Sequence, residues 1–481
     1  MPQPSVAPRY VYERHRPEET PLYGIVETYY PQFLARLEAE GGALPAFVKQ
    51  EFDDYLKCGL LEHGFLRVKC ESCSHEHLVA FSCKRRGFCP SCGARRMVES
   101  AAHLVDHVLP EQPIRQWVLT FPYPLRFLFA AQPQVLSQVL GVVYRAISTT
   151  LIKKTGFTVA SRAKTGAVTL IQRFGSALNL NTHFHMLFLD GVYSFDRARP
   201  KFHRTPRPTP AELVRLLHTI STRVARLLER HGLLVRDPEH DYLDFEPAEA
   251  IDQLIGASIH YRIAIGPNAG RKALTLRTVP AQPEPFASTL LAEQPGFSLH
   301  AATCCEANQR DKLEKLCRYI TRPAIANERL STNERGQVMY KFKQPFRDGT
   351  THVVLEPLDF IARLAALVPH PRLNLTRFHG VFAPNSKQRE HIVPRREPKA
   401  QVPDKPMAPM TWMQRLKRVF AIDIETCPKC GGKLRVIACI EDPDVIATIL
   451  EHIRTREAAE TSQPRAPPLR LSPPANQDRL F

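Results

Sequence analysis

Three short stretches are apolar at nearly every position: QWVLTF at 116–121, GAVTLIQRFG at 166–175 and LNTHFHMLFLDGVYSF at 180–195. Runs of this length, rich in aromatic and branched residues and punctuated by Pro or Gly, read as buried strands. The connector SALNLN makes the second and third antiparallel neighbours. Elsewhere the rhythm is helical. Leu213, Leu216, Leu217, Ile220, Val224, Leu227 and Leu228 form one apolar stripe, opened by Thr209 as a cap and Pro210 at the first helical position. Similar spacing predicts helices at 31–40, 44–58, 97–108, 132–154 and 306–320. Short alternating runs predict strands at 258–265 and 272–279. Strands that pair with neighbours, with helices between them, point to a layered α+β fold.

The third strand breaks its own pattern. His183 and His185 sit one residue apart in an apolar run, so strand alternation puts both on one face and Phe184 on the other. Buried imidazoles need partners, because an unpaired polar group inside a protein costs about 2–7 kcal/mol. A metal ion, backbone carbonyls and a carboxylate all qualify.

Cysteine usage adds a second chemistry. MPQPSVAPRYVYERHRPEE has no apolar core of a secretory signal, and the chain shows no apolar run of ~18 residues, which reads as cytoplasmic with no membrane partner. Cysteines stay reduced there, so the 12 in this chain need a use other than disulfides. Cys70 and Cys73 form one C-x-x-C pair and Cys89 and Cys92 a second, a spacing that suits a four-thiolate structural Zn²⁺ site. Cys58 and Cys83 are extra. CPKCGG at 427–432 is a further candidate knuckle, with only Cys439 and His452 close enough in sequence to complete it.

Charge points the same way as the zinc. With 65 Lys and Arg against 48 Asp and Glu the chain carries +17, a balance that favours a polyanion. Lys84, Arg85 and Arg86 lie between the two cysteine pairs and Arg95 and Arg96 just after the second, where they read as DNA phosphate contacts. No G-x-x-x-x-G-K-[ST] loop is present, so no nucleotide-hydrolysis site is evident.

SCKRRGFCPSCGARR (82–96), QRFGSALNLNTHFHMLFLDGVY (172–193), GFSLHAAT (296–303) and LCRYITRPAIANERL (316–330) together resemble transposases of the insertion sequence 91 family, in the HUH class of single-strand endonucleases. The resemblance implies an HUH-type antiparallel central sheet with flanking helices, preceded by a small zinc-binding module and followed by a basic C-terminal region. It implies that His183 and His185 hold a catalytic Mg²⁺ or Mn²⁺, with Gln172 of the QRFG segment as first choice for a third ligand and Asp190 as second. Among 13 tyrosines it selects Tyr319 as the nucleophile. Some relatives carry two tyrosines four residues apart; Lys315 stands at the other position here, a single-tyrosine form resembling common-region elements.

The activity implied is nicking and rejoining of single-stranded DNA at hairpin-bearing element ends through a 5′-phosphotyrosine, in rolling-circle transposition, on the nucleoid of a bacterium. A plasmid relaxase or replication initiator shares that chemistry, and a non-catalytic zinc-dependent DNA-binding protein is the alternative of another class. The domains expected are a helical segment (1–57), the zinc module (58–108), the HUH domain (110–330), a basic DNA-binding extension (331–400) with a linker at 377–408, a small segment (401–455) and a disordered tail (456–481).

Overall fold

The computed structural model describes residues 10–11, 16–158, 162–195, 200–237, 242–244, 249–281, 290–394, 422–423, 427 and 429–462. Helix α1 (Pro21–Ala39) opens at Thr20, whose hydroxyl accepts from the Tyr23 amide, and continues through Pro31. It therefore begins well before the 31–40 stretch that its spacing suggested. Helix α2 (Ala46–Lys57) leads to strands β1 (Phe65–Cys70) and β2 (Glu76–Ala80) and to α3 (Pro90–His107).

The central sheet starts with β3 (Ile114–Thr120). Helices α4 (Tyr123–Ala131) and α5 (Pro133–Lys154) follow, then β4 (Gly166–Phe174) and β5 (Leu180–Leu189). Helix α6 (Pro210–Arg230) is closed at its start by a capping box between Thr209 and Glu212. After α7 (Ala250–Ile259) and β6 (Leu274–Arg277) come β7 (Leu291–Gln294), β8 (Phe297–His300), β9 (Cys304–Cys305) and α8 (Arg310–Thr321). Strands β10 (Leu330–Thr332), β11 (Val338–Lys341) and β12 (Thr350–Leu355) precede α9 (Pro357–Leu367) and β13 (Thr376–Gly380). The described C-terminal part is β14 (Leu434–Ile440) and α10 (Pro443–Ser462).

Strands run β7-β8-β3-β5-β4-β13 across the central sheet, every pair antiparallel, with β9 also on β3. The histidine strand β5 is thus interior, and both its faces are covered. Phe184, Met186 and Phe188 pack with Trp117, α5 and α6. Leu187 and Leu189 pack with α3 and α8 through Leu104, Leu313 and Cys317. This is the α+β arrangement expected from the pattern, with helices on either side of an antiparallel sheet. Helix α5, 22 residues long and holding an 18-residue window of mean hydropathy 1.5, is an apolar run overlooked along the sequence, and burial of Leu136, Val139, Val143 and Ile147 in this core accounts for it.

Three expectations are corrected. Residues 258–265 form no strand: Ile251, Leu254, Ile255 and Ile259 complete a helical stripe in α7, leaving one isolated bridge, Arg262 to Lys272. Within the 377–408 linker, residues 377–380 belong to β13, which pairs with β4 because a strand buried along its length needs hydrogen bonds on both edges. The 331–400 extension does not stand apart as far as it is described. β11, β12 and a nearly fully buried α9 share one core with α1, α2 and α7.

The C-terminal part is likewise joined to the zinc module, since β14 pairs with β1 from Phe65↔Ile440 to Cys70↔Leu434. Residues 456–462, expected in the disordered tail, complete α10. The rest of that tail, 463–481, and the linker at 395–408 lie outside the described residues.

Candidate metal and nucleophile site

On β5, His183 lies opposite Thr120 and Gln172, and His185 opposite Val118 and Leu170. Both imidazoles are buried, with their Nε2 atoms 3.2 Å apart. Nδ1 of His183 donates to the Asn181 carbonyl at 2.7 Å, which leaves a lone pair on Nε2. Nδ1 of His185 is 2.7 Å from the Gln116 side-chain amide. The Gln116 amide nitrogen donates to that Nδ1, so the His185 Nε2–H points to the lone pair on His183 Nε2, and an ion between the rings would take the place of that proton. Two imidazole nitrogens ~2.1 Å from one ion at a near-right angle stand ~3 Å apart, so the pair fits a shared ion.

Electrostatics favour the same state. Burial pushes His183 down to about 4, helped by the Arg126 and Arg322 charges and opposed by the Asn181 bond. His185 is held well below its ordinary value by burial first, then by His183 and Arg322. Both rings are therefore neutral at pH 7, the form that ligates metals.

Among the described residues no third imidazole, thiolate or carboxylate joins this pair. Gln172 is buried opposite His183, and its amide nitrogen donates to the Ile320 carbonyl at 3.0 Å, so an ion would take its oxygen. Asp190 is committed elsewhere. Arg115 grips both its oxygens at 2.7 Å in a buried pair, which removes it as a ligand candidate.

Tyr319 sits in the last turn of α8. Leu313, Cys317 and Ile320 face the core while Tyr319 is 43% exposed. The Gln172–Ile320 bond sets this turn against β4 beside His183. The Arg322 guanidinium lies 4.2 Å from the Tyr319 ring centre and the Lys343 ammonium 4.7 Å. Lys315 is exposed one turn earlier. Tyr340 is buried to 1% exposure and donates its hydroxyl to the Ala324 carbonyl, so it is a core residue.

Gln116, Arg126, Arg322 and Lys343 were not singled out from the sequence. Strand alternation could have found Gln116, which shares the His185 face. Arg322 is the residue that closes α8, three after Tyr319, and nearness in sequence was the signal that could have found it.

The cysteines fall into two quartets, and the Cys70, Cys73, Cys89, Cys92 grouping is corrected. Cys58, Cys83, Cys89 and Cys92 form one cluster. Its sulfurs are 3.7 Å apart for Cys58–Cys89 and Cys58–Cys92, and 3.4 Å for Cys83–Cys92. Cys70, Cys73, Cys427 and Cys430 form the other, at 3.5 Å for Cys70–Cys430 and 3.6 Å for Cys73–Cys427. Thiolates ~2.3 Å from a tetrahedral ion stand ~3.8 Å apart, so both clusters suit structural Zn²⁺.

Amides of Ser72 and Gly432 donate to Cys70 and Cys430 at 3.4 Å, one in each facing knuckle. A Cβ on Gly432 would fall 2.4 Å from Ser72 Oγ, which is why glycine ends this CPKCGG turn. Neither Cys439, which donates to Glu441, nor His452 takes part. The physical reason for the regrouping is the β1–β14 pairing, which carries Cys70 to the C-terminal knuckle and away from Cys89.

The basic cluster is largely engaged within the fold. Arg85 pairs with Asp54, and Arg95 with Glu99 at 3.2 Å. Arg86 donates to the Leu373 carbonyl at 2.6 Å. Arg96 donates to the Lys84 and Arg85 carbonyls at 3.2 and 2.8 Å and so shapes the loop that carries them.

Comparison with known families agrees with this layout. Residues 166–390 match a family described as "Putative transposase", a span that holds His183, His185, Gln172 and Tyr319. Residues 25–121 match the insertion sequence 91 type "Transposase zinc-binding domain", which holds Cys58 to Cys92 but ends before Cys427. No curated protein and no solved structure matches the chain.

Proposed function

We propose that this chain, a transposase that belongs to the insertion sequence 91 family, nicks and rejoins single-stranded DNA at element ends through Tyr319. DNA is its partner as a transposase. The observation that carries the finer reading is the buried, neutral imidazole pair, His183 and His185, with Nε2 atoms 3.2 Å apart beside an exposed tyrosine. A divalent ion such as Mg²⁺ or Mn²⁺ between them, with Gln172 as third ligand, would supply Lewis-acid stabilisation at the scissile phosphate.

The chain's own residues do the rest. A tyrosine hydroxyl with pKa ~10 is a weak nucleophile, so positioning matters. Arg322 and Lys343 flank the Tyr319 ring and place positive charge where the scissile phosphate would sit, and the phenolic proton leaves to water. The phenolate oxygen bonds to phosphorus, the P–O3′ bond breaks, and the 3′-oxygen takes a proton. The strand's 5′ phosphate is then a tyrosine ester. Reversal by another 3′-hydroxyl rejoins DNA with no net loss of phosphodiester energy, so no nucleotide hydrolysis is required.

Two zinc ions fasten the frame, one in each cysteine quartet. Lys84, Arg85, Arg86, Arg95 and Arg96 supply positive charge beside the first quartet. An end-labelled single-stranded oligonucleotide with an element end, incubated with Mn²⁺, tests the reading. A denaturant-resistant adduct on wild type that is missing from Tyr319→Phe supports it; an adduct on Tyr319→Phe sinks the assignment.

A further inference from the structure

Three arginines in the described part of the chain are buried: Arg115, Arg173 and Arg363. Arg115 holds Asp190 and Arg363 lies 3.5 Å from Asp359. Arg173 has no such partner among the described residues. Its one hydrogen bond is a long one, from Nη2 to the Ala366 carbonyl at 3.4 Å, and Nε and Nη1 have none. Burial alone pulls it down to about 10, with no carboxylate to restore it. A desolvated, unpaired guanidinium is costly, so its place in the fold asks for an anion.

The surroundings supply the room for one. Arg173 lies at a bulge between Gln172 and Phe174, where β4 leaves register with β5. It lines a cavity of about 130 Å³ at the seam between the zinc module and the central sheet. Arg86, Arg96 and Arg322 line the same cavity, and no carboxylate does. Glu51, behind Arg86, is buried and accepts from the Gly87 amide. Gly93 keeps the seam close, since a Cβ there would fall 2.6 Å from Pro323. The cavity also reaches Gln172 and the end of α8, one residue from Tyr319.

We propose that this cavity is a phosphate pocket which grips one backbone phosphodiester of the bound single strand next to the cut, with Arg173 as its buried anchor. This rests on the reading that Tyr319 cleaves DNA beside it. Arg–phosphate bonds can be bidentate, which suits a guanidinium with two unused donor nitrogens. The first cysteine quartet has a part as well. Cys83 and Cys89 bracket the loop that carries Arg86, so zinc there holds one wall of the pocket.

The test uses the full chain with Tyr319→Phe, so that binding is read without cleavage. Three quantities are measured: the thermal midpoint with and without inorganic phosphate, the affinity for a single-stranded element end, and the affinity for the same strand with one neutral methylphosphonate linkage at each position in turn. One position should lose about tenfold on neutralisation, the size of one charged hydrogen bond. Adding Arg173→Met should raise the midpoint without ligand, lower affinity by a similar factor, and abolish the penalty at that one position.

If Arg173→Met instead lowers the midpoint and leaves DNA affinity unchanged, Arg173 is structural and the proposal fails. If phosphate stabilises the protein but no single linkage matters, the pocket takes a free anion and the DNA assignment is overturned. Should Arg173→Met not fold, Arg86→Gln reads the same linkage-specific loss. Since no step depends on the adduct, a protein that never cleaves but shows the linkage effect would sink the cleavage reading and leave the pocket standing.

Discussion

The imidazole pair and the thiolate quartets are both metal-ligand sets, and the chain assembles them in opposite ways. His183 and His185 are neighbours on one strand, and pleating alone puts them on one face. The second quartet joins residues 70 and 73 to residues 427 and 430. The first kind of site survives any rearrangement that keeps β5 a strand. The second exists only if β1 and β14 pair. A local site is set by periodicity, whereas a distant one is set by topology, and its metal doubles as a staple for a unit with few core residues.

The sharpest break of this comparison is at the nucleophile, which depends on the local site. Tyr319→Phe should abolish the DNA adduct altogether, while Tyr340→Phe should keep it and lose stability instead. Persistence of adduct in the first, or its loss in the second with folding intact, would reverse their roles.

The two quartets should next separate by consequence. Cys58→Ser removes a ligand wedged among α2, the Cys83 loop and α3, and loss of a structural zinc should unfold that region. Cys427→Ser combined with Cys430→Ser should drop zinc from two equivalents to one. Amide exchange should then quicken in β14 and α10 while the central sheet stays protected. A wild-type content of one equivalent, or unchanged exchange in the double variant, would show that the distant quartet is no zinc site.

Within the local site, His183→Ala should slow cleavage severely, and Gln116→Leu should cost less. Gln116 touches His185 and not the ion, and removal of such a supporting partner typically weakens metal affinity ~10–100-fold. Mn²⁺ titration of both variants checks the order; equal losses would make Gln116 a ligand in its own right.

The smallest effect is in pH. His183 titrates near 4 when folded against 6.5 ordinarily, so the unfolded chain takes up its proton first as pH falls. Stability should be level above about 6.5 and decline from there toward 4, with a shallower decline in His183→Ala. Mn²⁺ affinity should show no step at 6.5. Such a step would mean the imidazole is solvated and the strand face open.

Much of the central sheet was legible because each strand advertises itself. β4 and β5 are buried at nearly every position, α6 repeats its leucines at helical spacing, and the histidines interrupt an apolar run. β13 was hidden, because a five-residue edge strand in Arg- and Pro-rich surroundings carries too few apolar positions to show a period. The 258–265 run misled for a related reason: its first isoleucine, Ile259, ends the helical stripe of α7, and the two that follow lie beyond the helix with one isolated bridge.

By itself, then, the sequence determined which residues could act: two imidazoles on one face, a tyrosine near the end of an amphipathic helix, and cysteines in and around three C-x-x-C knuckles. Only the tertiary structure decided which of these meet. Spacing along a chain constrains partners a few residues apart, but says nothing of a thiolate more than 350 residues away until strand pairing closes the loop. The same holds for Arg173. Any strand may carry an arginine, and only the packed fold leaves this one buried, unpaired and facing a cavity.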